Sequence, residues 1–116
     1  MKVSVFDHRD VSKDDPSLVG KLLINNAKLG VALAKKLGPD TVVLIRGHGV
    51  VVVGESLPWA VLRSVYTQIN ARAQLEALSL HADVTYLNED EIKYHRNELF
   101  PDRPWENFKA RLPKSP

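Results

Sequence analysis

The chain has 116 residues and a mass of 13.0 kDa, which is the size of one ordinary domain and too short for two. Its 44% hydrophobic and 26% charged residues are typical of a folded protein and argue against disorder. Sixteen basic and fourteen acidic residues leave a formal charge of +2 without a cluster of Lys and Arg, so counterion-driven binding of nucleic acid is excluded. The chain has no cysteine, which excludes disulfides, thiolate zinc sites and a cysteine nucleophile.

The N-terminal residues contain no signal-peptide core, and no apolar run approaches the roughly 20 residues of a membrane span. The absence of cysteine is compatible with a reducing compartment. We therefore expect a cytoplasmic protein that binds neither membranes nor nucleic acid.

The first predicted elements are a strand and a long helix. Apolar and polar residues alternate from Lys2 to Phe6, which predicts a short strand, and the charged stretch Asp7–Pro16 predicts a loop. From Ser17 to Leu37 apolar positions recur every three or four residues, which predicts an amphipathic helix. Gly38 and Pro39 predict its end.

The centre of the chain predicts a β-hairpin followed by a second long helix. Thr41–Ile45 and Val50–Val53 are β-branched apolar runs joined by only four residues, and a parallel pair would need a much longer crossover. The two strands are therefore expected to be antiparallel. Ser56 and Pro58 predict the start of a helix that continues to about Leu80.

The C-terminal third predicts an extended piece, a helix and a tail. Val84–Leu87 is expected to be extended, and Asn88 followed by three acidic residues predicts a helix ending near Phe100. The tail Asp102–Pro116 is expected to be a docked or frayed extension. The predicted fold is α/β, with a mainly antiparallel sheet flanked by two long helices.

One segment could carry chemistry, the Gly47-His48-Gly49 turn between the two apolar strands. Flanking glycines let the backbone bend and leave space around the imidazole, as a metal ligand or a general base requires. The alternative from the residues alone is a hairpin whose solvated tip is His48. A single histidine cannot complete a metal site.

These residues resemble the class II aldolase/adducin family. The likeness covers about Val3 to Phe108 and is strongest in the hairpin and in the helix that carries Asn70-Ala71-Arg72-Ala73-Gln74. It implies a layered α/β/α fold in which His48 is the third imidazole ligand of a divalent metal, usually zinc. The opening strand and the Asn25–Gly30 segment look most like the decarboxylase branch.

The chain also departs from the family pattern. Family members are about twice as long, so residues 1–116 resemble a single domain that is the C-terminal portion of the family fold, without its N-terminal half. The resemblance implies two further ligands in a His-x-His pair, preceded by a catalytic carboxylate, and the chain has no His-x-His. Its other histidines, His8, His81 and His95, stand alone in separate segments. The zinc site is therefore expected to be incomplete in this chain.

Two further residues are candidates for the site. Arg46 could bind a carboxylate or phosphate of a substrate, the alternative being a solvated or paired arginine at a strand end. Tyr94 could donate a proton as a catalytic residue, since the resemblance implies that C-terminal residues of one subunit reach the site of the next. Asp7 and Asp10 are expected to be solvated charges, and Arg72 to pair with an acid or to cross to another subunit.

Two functions follow. The first is a fragment or subunit of a metal-dependent carbon–carbon lyase, of aldolase or decarboxylase type, acting on a sugar phosphate or an aromatic or hydroxy acid. The second is a non-catalytic assembly module, as the resemblance to adducins implies. Either way a homo-oligomer is expected, because half of a larger fold leaves sheet edges and apolar surface open.

Overall fold

The computed structural model describes residues 3–80 and 83–113, with the side chains of all of these except residues 97 and 98. The chain divides into two compact units, Met1–Val53 and Gly54–Pro116, each considered by itself below. The elements of the first unit are β1 (Ser4–Phe6), α1 (His8–Ser12), a 3-10 turn (Pro16–Leu18), α2 (Ala27–Leu37), β2 (Val42–Ile45) and β3 (Gly49–Val52). The helices of the second unit are α3 (Leu57–Ser79), α4 (Glu89–Glu98) and α5 (Asp102–Ala110).

The three strands form one mixed sheet in the order β1-β2-β3. β2 and β3 are antiparallel, as predicted, and Ile45 pairs with Gly49 next to the turn. β1 is parallel to β2, with Phe6 beside Ile45, so the expectation of a mainly antiparallel sheet holds for only one of the two pairings. The long connection through α2 provides the crossover that a parallel pair needs.

The first predicted helix is much shorter than its apolar spacing suggested. α2 begins at Ala27 rather than Ser17, because the Asn26 side chain caps it by accepting a hydrogen bond from the Leu29 N–H at 2.9 Å. Upstream, Gly20 has a φ of 77°, a left-handed conformation that a helix interior does not tolerate. The apolar residues between the 3-10 turn and α2 therefore lie in a loop.

The core of the first unit lies between α2 and one face of the sheet. Leu29 and Val43 are completely buried, and the face of α2 that packs inward contains Leu29. The other buried hydrophobic residues of this core are Phe6, Leu18 and Ile45. Of the two long helices expected to flank the sheet, α2 packs against it. The other, α3, belongs to the second unit.

The predicted charged loop after β1 contains a helix. Asp7 is the N-cap of α1, and its carboxylate accepts a hydrogen bond from the Arg9 N–H at 3.0 Å. A capping aspartate offsets one of the unpaired N–H groups of a first turn, which lets even a five-residue helix form here. The prediction of a loop was wrong because α1 is too short to display an apolar period.

The second unit confirms the predicted long helix and the helix after Asn88. The Asn88 side chain and the Glu91 carboxylate form a reciprocal capping box at the start of α4. Residues 83–88 form no strand, although the Tyr86 hydroxyl accepts a hydrogen bond from Gln74 on α3 at 3.2 Å. Residues 102–110 of the predicted tail form α5, which packs against α3, so the described part of the tail is docked.

One smaller expectation concerns Arg72 on α3. Arg72 pairs with Glu76 one turn along the helix, with Nε 2.8 Å from the carboxylate, so pairing with an acid is confirmed. His81 lies outside the described residues. In the described part of the chain, no helix is both long enough and apolar enough to cross a bilayer.

Candidate functional site

The turn that carries His48 is held by backbone hydrogen bonds at both ends. The Arg46 N–H donates to the carbonyl of Phe6 at 3.0 Å, which ties the turn to β1. The His48 N–H donates to the carbonyl of Ile45 at 3.0 Å, which closes the turn itself. Gly47 has a φ of 70°, the left-handed region that favours glycine, so this backbone conformation needs the glycine at that position.

The His48 side chain is exposed, and it has no hydrogen-bond or ion-pair partner within residues 3–80 and 83–113. It therefore projects out of the core, as a metal ligand or a solvated turn histidine would. The carbonyl or carboxylate partner that often orients a metal-binding imidazole is not present among those residues.

Zinc coordination requires more ligands than this turn supplies. Protein zinc is normally held by three or four ligands, and His48 offers one accessible imidazole. Among the described residues, no group of three or more histidine, aspartate or glutamate side chains is arranged to hold a metal ion. The described residues therefore offer at most one imidazole, that of His48, to a divalent cation at this turn.

Arg46 lies next to the turn and is paired with an acid. Its Nε is 2.8 Å from the Asp7 carboxylate, and the same carboxylate accepts a hydrogen bond from the Arg9 guanidinium at 2.7 Å. Asp7 thus joins the end of β1, the start of α1 and the His48 turn. The structural alternative for Arg46, a paired strand-end arginine, is observed, and its binding of a substrate stays a prediction.

Hydrogen bonds to Asp7 keep its carboxylate ionised. Those from the Arg9 side chain and backbone are the main cause, and Arg46 adds to them, so the pKa of Asp7 lies well below its usual range. Partial burial of the carboxylate acts in the opposite direction and is outweighed. The edge of the sheet beside His48 therefore carries one fixed negative charge between two guanidinium groups.

His8 is buried, which the sequence did not predict. Its side chain is only 4% exposed, and neither ring nitrogen has a hydrogen-bond partner among the residues that the structure describes. The ring meets Phe6 edge to face, with centroids 5.0 Å apart. It behaves as a packing residue whose polar atoms are unsatisfied, a costly arrangement in a protein interior.

Tyr94, the candidate proton donor, lies in the second unit on α4. Its side chain is 62% exposed and its ring meets that of His95 edge to face at 5.7 Å. Arg46 and His48 lie in the first unit, so the structure places those two candidates together and describes Tyr94 separately.

Sequence reasoning missed the role of Asp7. The sequence predicts solvated charges at Asp7 and Asp10, whereas in the structure Asp7 caps α1 and pairs with Arg46. An aspartate placed just before a short polar segment is a recognisable N-cap signal. The pairing with Arg46 had no such signal, because it depends on the parallel alignment of β1 and β2.

Comparison with known proteins identifies the region that contains this turn. Residues 7–75 match the model of the class II aldolase and adducin N-terminal domain. A curated relative, decarboxylase tropJ of Talaromyces stipitatus, is 35% identical over 106 aligned residues, which cover 76% of this chain. The match covers 39% of the decarboxylase, so the chain spans well under half the length of that relative.

Proposed function

Because the chain belongs to the class II aldolase/adducin family, we propose that it is part of a metal-dependent carbon–carbon lyase. In this proposal His48 is one imidazole ligand of a divalent cation, with zinc the first candidate. The observation that carries the proposal is the exposed, unpartnered imidazole held on a backbone-locked turn. When bound, such a cation supplies Lewis-acid catalysis at a substrate oxygen.

The similarity to decarboxylase tropJ, whose alignment covers 76% of this chain, favours the decarboxylase type over the aldolase type. The substrate in this proposal is an aromatic or hydroxy acid, with a sugar phosphate as the aldolase-type counterpart. Arg46 would bind the acid group of the substrate. Its Nε is held by Asp7, and it forms no ion pair with any other carboxylate among the described residues.

The remaining ligands and the catalytic carboxylate are proposed to come from polypeptide that this chain does not contain. In that arrangement residues 1–116 are the C-terminal portion of the family fold, and copies of the assembly form a homo-oligomer. Tyr94 is proposed to donate a proton at a site to which another subunit contributes. Its 62% exposure on α4 is compatible with that role.

The decisive experiment is a zinc titration followed by calorimetry and by NMR of the histidine rings. We expect weak binding by the isolated chain, with the His48 ring signals shifting first, because one imidazole is a poor zinc site. His48→Ala should abolish this binding, whereas His95→Ala, which removes an exposed histidine of α4, should leave it unchanged. Tight binding that survives His48→Ala would show that the proposed ligand is wrong.

A second arm tests completion of the site. Co-expression with the remaining part of a family member should raise the zinc affinity, and His48→Ala should cancel that increase. If the combined proteins associate but bind zinc equally well with and without His48, the non-catalytic adducin-like module becomes the better proposal. This arm therefore separates the enzyme proposal from the assembly proposal.

A further inference from the structure

A cleft in the second unit has a donor-rich lining that the proposed lyase function does not use. It lies between α3 and α5, has a volume of about 570 Å3, and is lined by Tyr66, Arg103, Pro104, Asn107 and Phe108. Arg103 and Asn107 are one helical turn apart on α5, and so are Pro104 and Phe108. The helix therefore presents a polar pair and an apolar pair to the same cleft.

Three side chains in this lining have hydrogen-bonding groups without a protein partner. The Tyr66 hydroxyl, the Arg103 guanidinium and the Asn107 amide make no hydrogen bond or ion pair among the described residues. No acidic residue lines the cleft, and the nearby Glu106 is already paired with Lys109 at 2.7 Å. The positive charge of Arg103 is therefore not neutralised by the described part of the protein.

We propose that this cleft binds a small aromatic carboxylate. The planar guanidinium of Arg103 matches a carboxylate with two parallel hydrogen bonds, and Tyr66 and Asn107 add further donors. Phe108 and Pro104 provide an apolar wall for a planar ring. The volume is within the range of small-molecule sites, and the ligand would need no metal and none of the residues near His48.

The test is an NMR and calorimetric titration of the full chain with sodium benzoate. Benzamide, which is neutral but similar in shape, and inorganic phosphate, which lacks the ring, serve as comparison ligands. We expect benzoate to bind more tightly than either and to shift the amide signals of residues 103–108. Because hydrogen bonds to charged groups are the strong ones, Arg103→Gln should weaken benzoate binding about tenfold or more.

Two variants separate the site from general effects of charge. Tyr66→Phe should weaken benzoate binding by a few-fold, because it removes one donor and keeps the ring. Arg111→Gln removes an arginine at the end of the same helix that does not line the cleft, so it should leave binding unchanged. Circular dichroism of each variant checks that the helices are intact.

Three results would overturn the proposal. The first is no saturable benzoate binding, and the second is an equal loss of binding in Arg103→Gln and Arg111→Gln. The third is tighter binding of phosphate than of benzoate, which would show a simple anion site without recognition of the ring. Because the measurement uses neither zinc nor His48, its failure would leave the proposed lyase function untouched.

Discussion

The two units differ in how they bury their hydrophobic residues. The first unit, with a three-stranded sheet and α2, buries five hydrophobic side chains in one cluster. Among the described residues of the second unit only Leu62 is buried, although its helices carry many apolar side chains. Large hydrophobic residues that it exposes include Ile69, Leu75, Leu78, Leu99 and Phe100.

The first unit is stabilised by its own hydrophobic core, whereas the second unit exposes apolar surface that another polypeptide could cover. The candidate site is in the unit with its own core, where backbone hydrogen bonds and the Asp7 ion pairs hold the His48 turn. The second unit exposes apolar residues of α3, among them Ile69, Leu75 and Leu78, as expected of a surface that another polypeptide covers. This exposure supports the proposal that the chain works in an assembly.

The largest expected effect tests this contrast directly. Leu29→Ala removes a completely buried side chain of the first unit and should lower the free energy of unfolding by about 2–5 kcal/mol. Leu75→Ala, at a position that is 69% exposed on α3, should change it by no more than about 0.5 kcal/mol. Urea denaturation followed by circular dichroism measures both.

The Leu75 variant also tests the assembly. If its cost is as large as that of Leu29→Ala and depends on protein concentration, a second copy covers α3 and the contrast between the units holds only for an isolated chain. If the cost is large but independent of concentration, the contrast itself is wrong.

An intermediate effect is expected at the start of the second unit. A Cβ added to Gly54 would lie 2.5 Å from the backbone nitrogen of Ala60 in the first turn of α3. Gly54→Ala should therefore cost about 1–3 kcal/mol, the usual range for overpacking. Thermal unfolding checks this, with Gly49→Ala as the matched control, because a Cβ at Gly49 meets no atom within 4 Å. Equal stability of the two variants would show that α3 moves away from Gly54 at little cost.

The smallest effect concerns the charges beside the candidate site. The pKa of Asp7 is lower in the folded protein than in the unfolded chain, because Arg9 and Arg46 stabilise its charged form. Its stabilisation is therefore fully present above an unfolded pKa of about 3.9 and is lost as the pH falls toward the folded value. The melting temperature of Asp7→Asn should lie slightly below that of the wild type at pH 7, since both arginines paired with Asp7 are exposed to solvent and ion pairs at a protein surface are weak.

Melting temperatures measured over a range of pH test the direction of this effect. The difference between wild type and Asp7→Asn should shrink as the pH falls below about 4. Asp14→Asn, which changes an exposed aspartate of the same loop region, serves as the control and should follow the wild type. A difference that grows in acid would mean that Asp7 does not gain its stabilisation from the two arginines.

Local sequence patterns predicted several secondary-structure elements correctly. The β-branched runs around residues 41–53 predicted the hairpin, since four connecting residues allow only an antiparallel pair. Asn88 with Glu91 predicted the start of α4. The predicted start of α2 was wrong, because apolar residues recur every three or four positions in the loop before the helix as well. Gly20 interrupts a helix in that loop, and Asn26 caps the helix that follows it.

The sequence by itself therefore determined the hairpin, the long helix α3 and the position of His48 on an open turn, because strand and turn preferences act over a few neighbouring residues. Only the tertiary structure decided that β1 lies parallel to β2, that Asp7 bridges Arg9 and Arg46, and that His8 is buried beside Phe6. The β1–β2 pairing and the Asp7–Arg46 ion pair join residues far apart in the chain. His8 and Phe6 are close in sequence, but the burial of His8 depends on how the core of the first unit packs. No local pattern of residues encodes that packing.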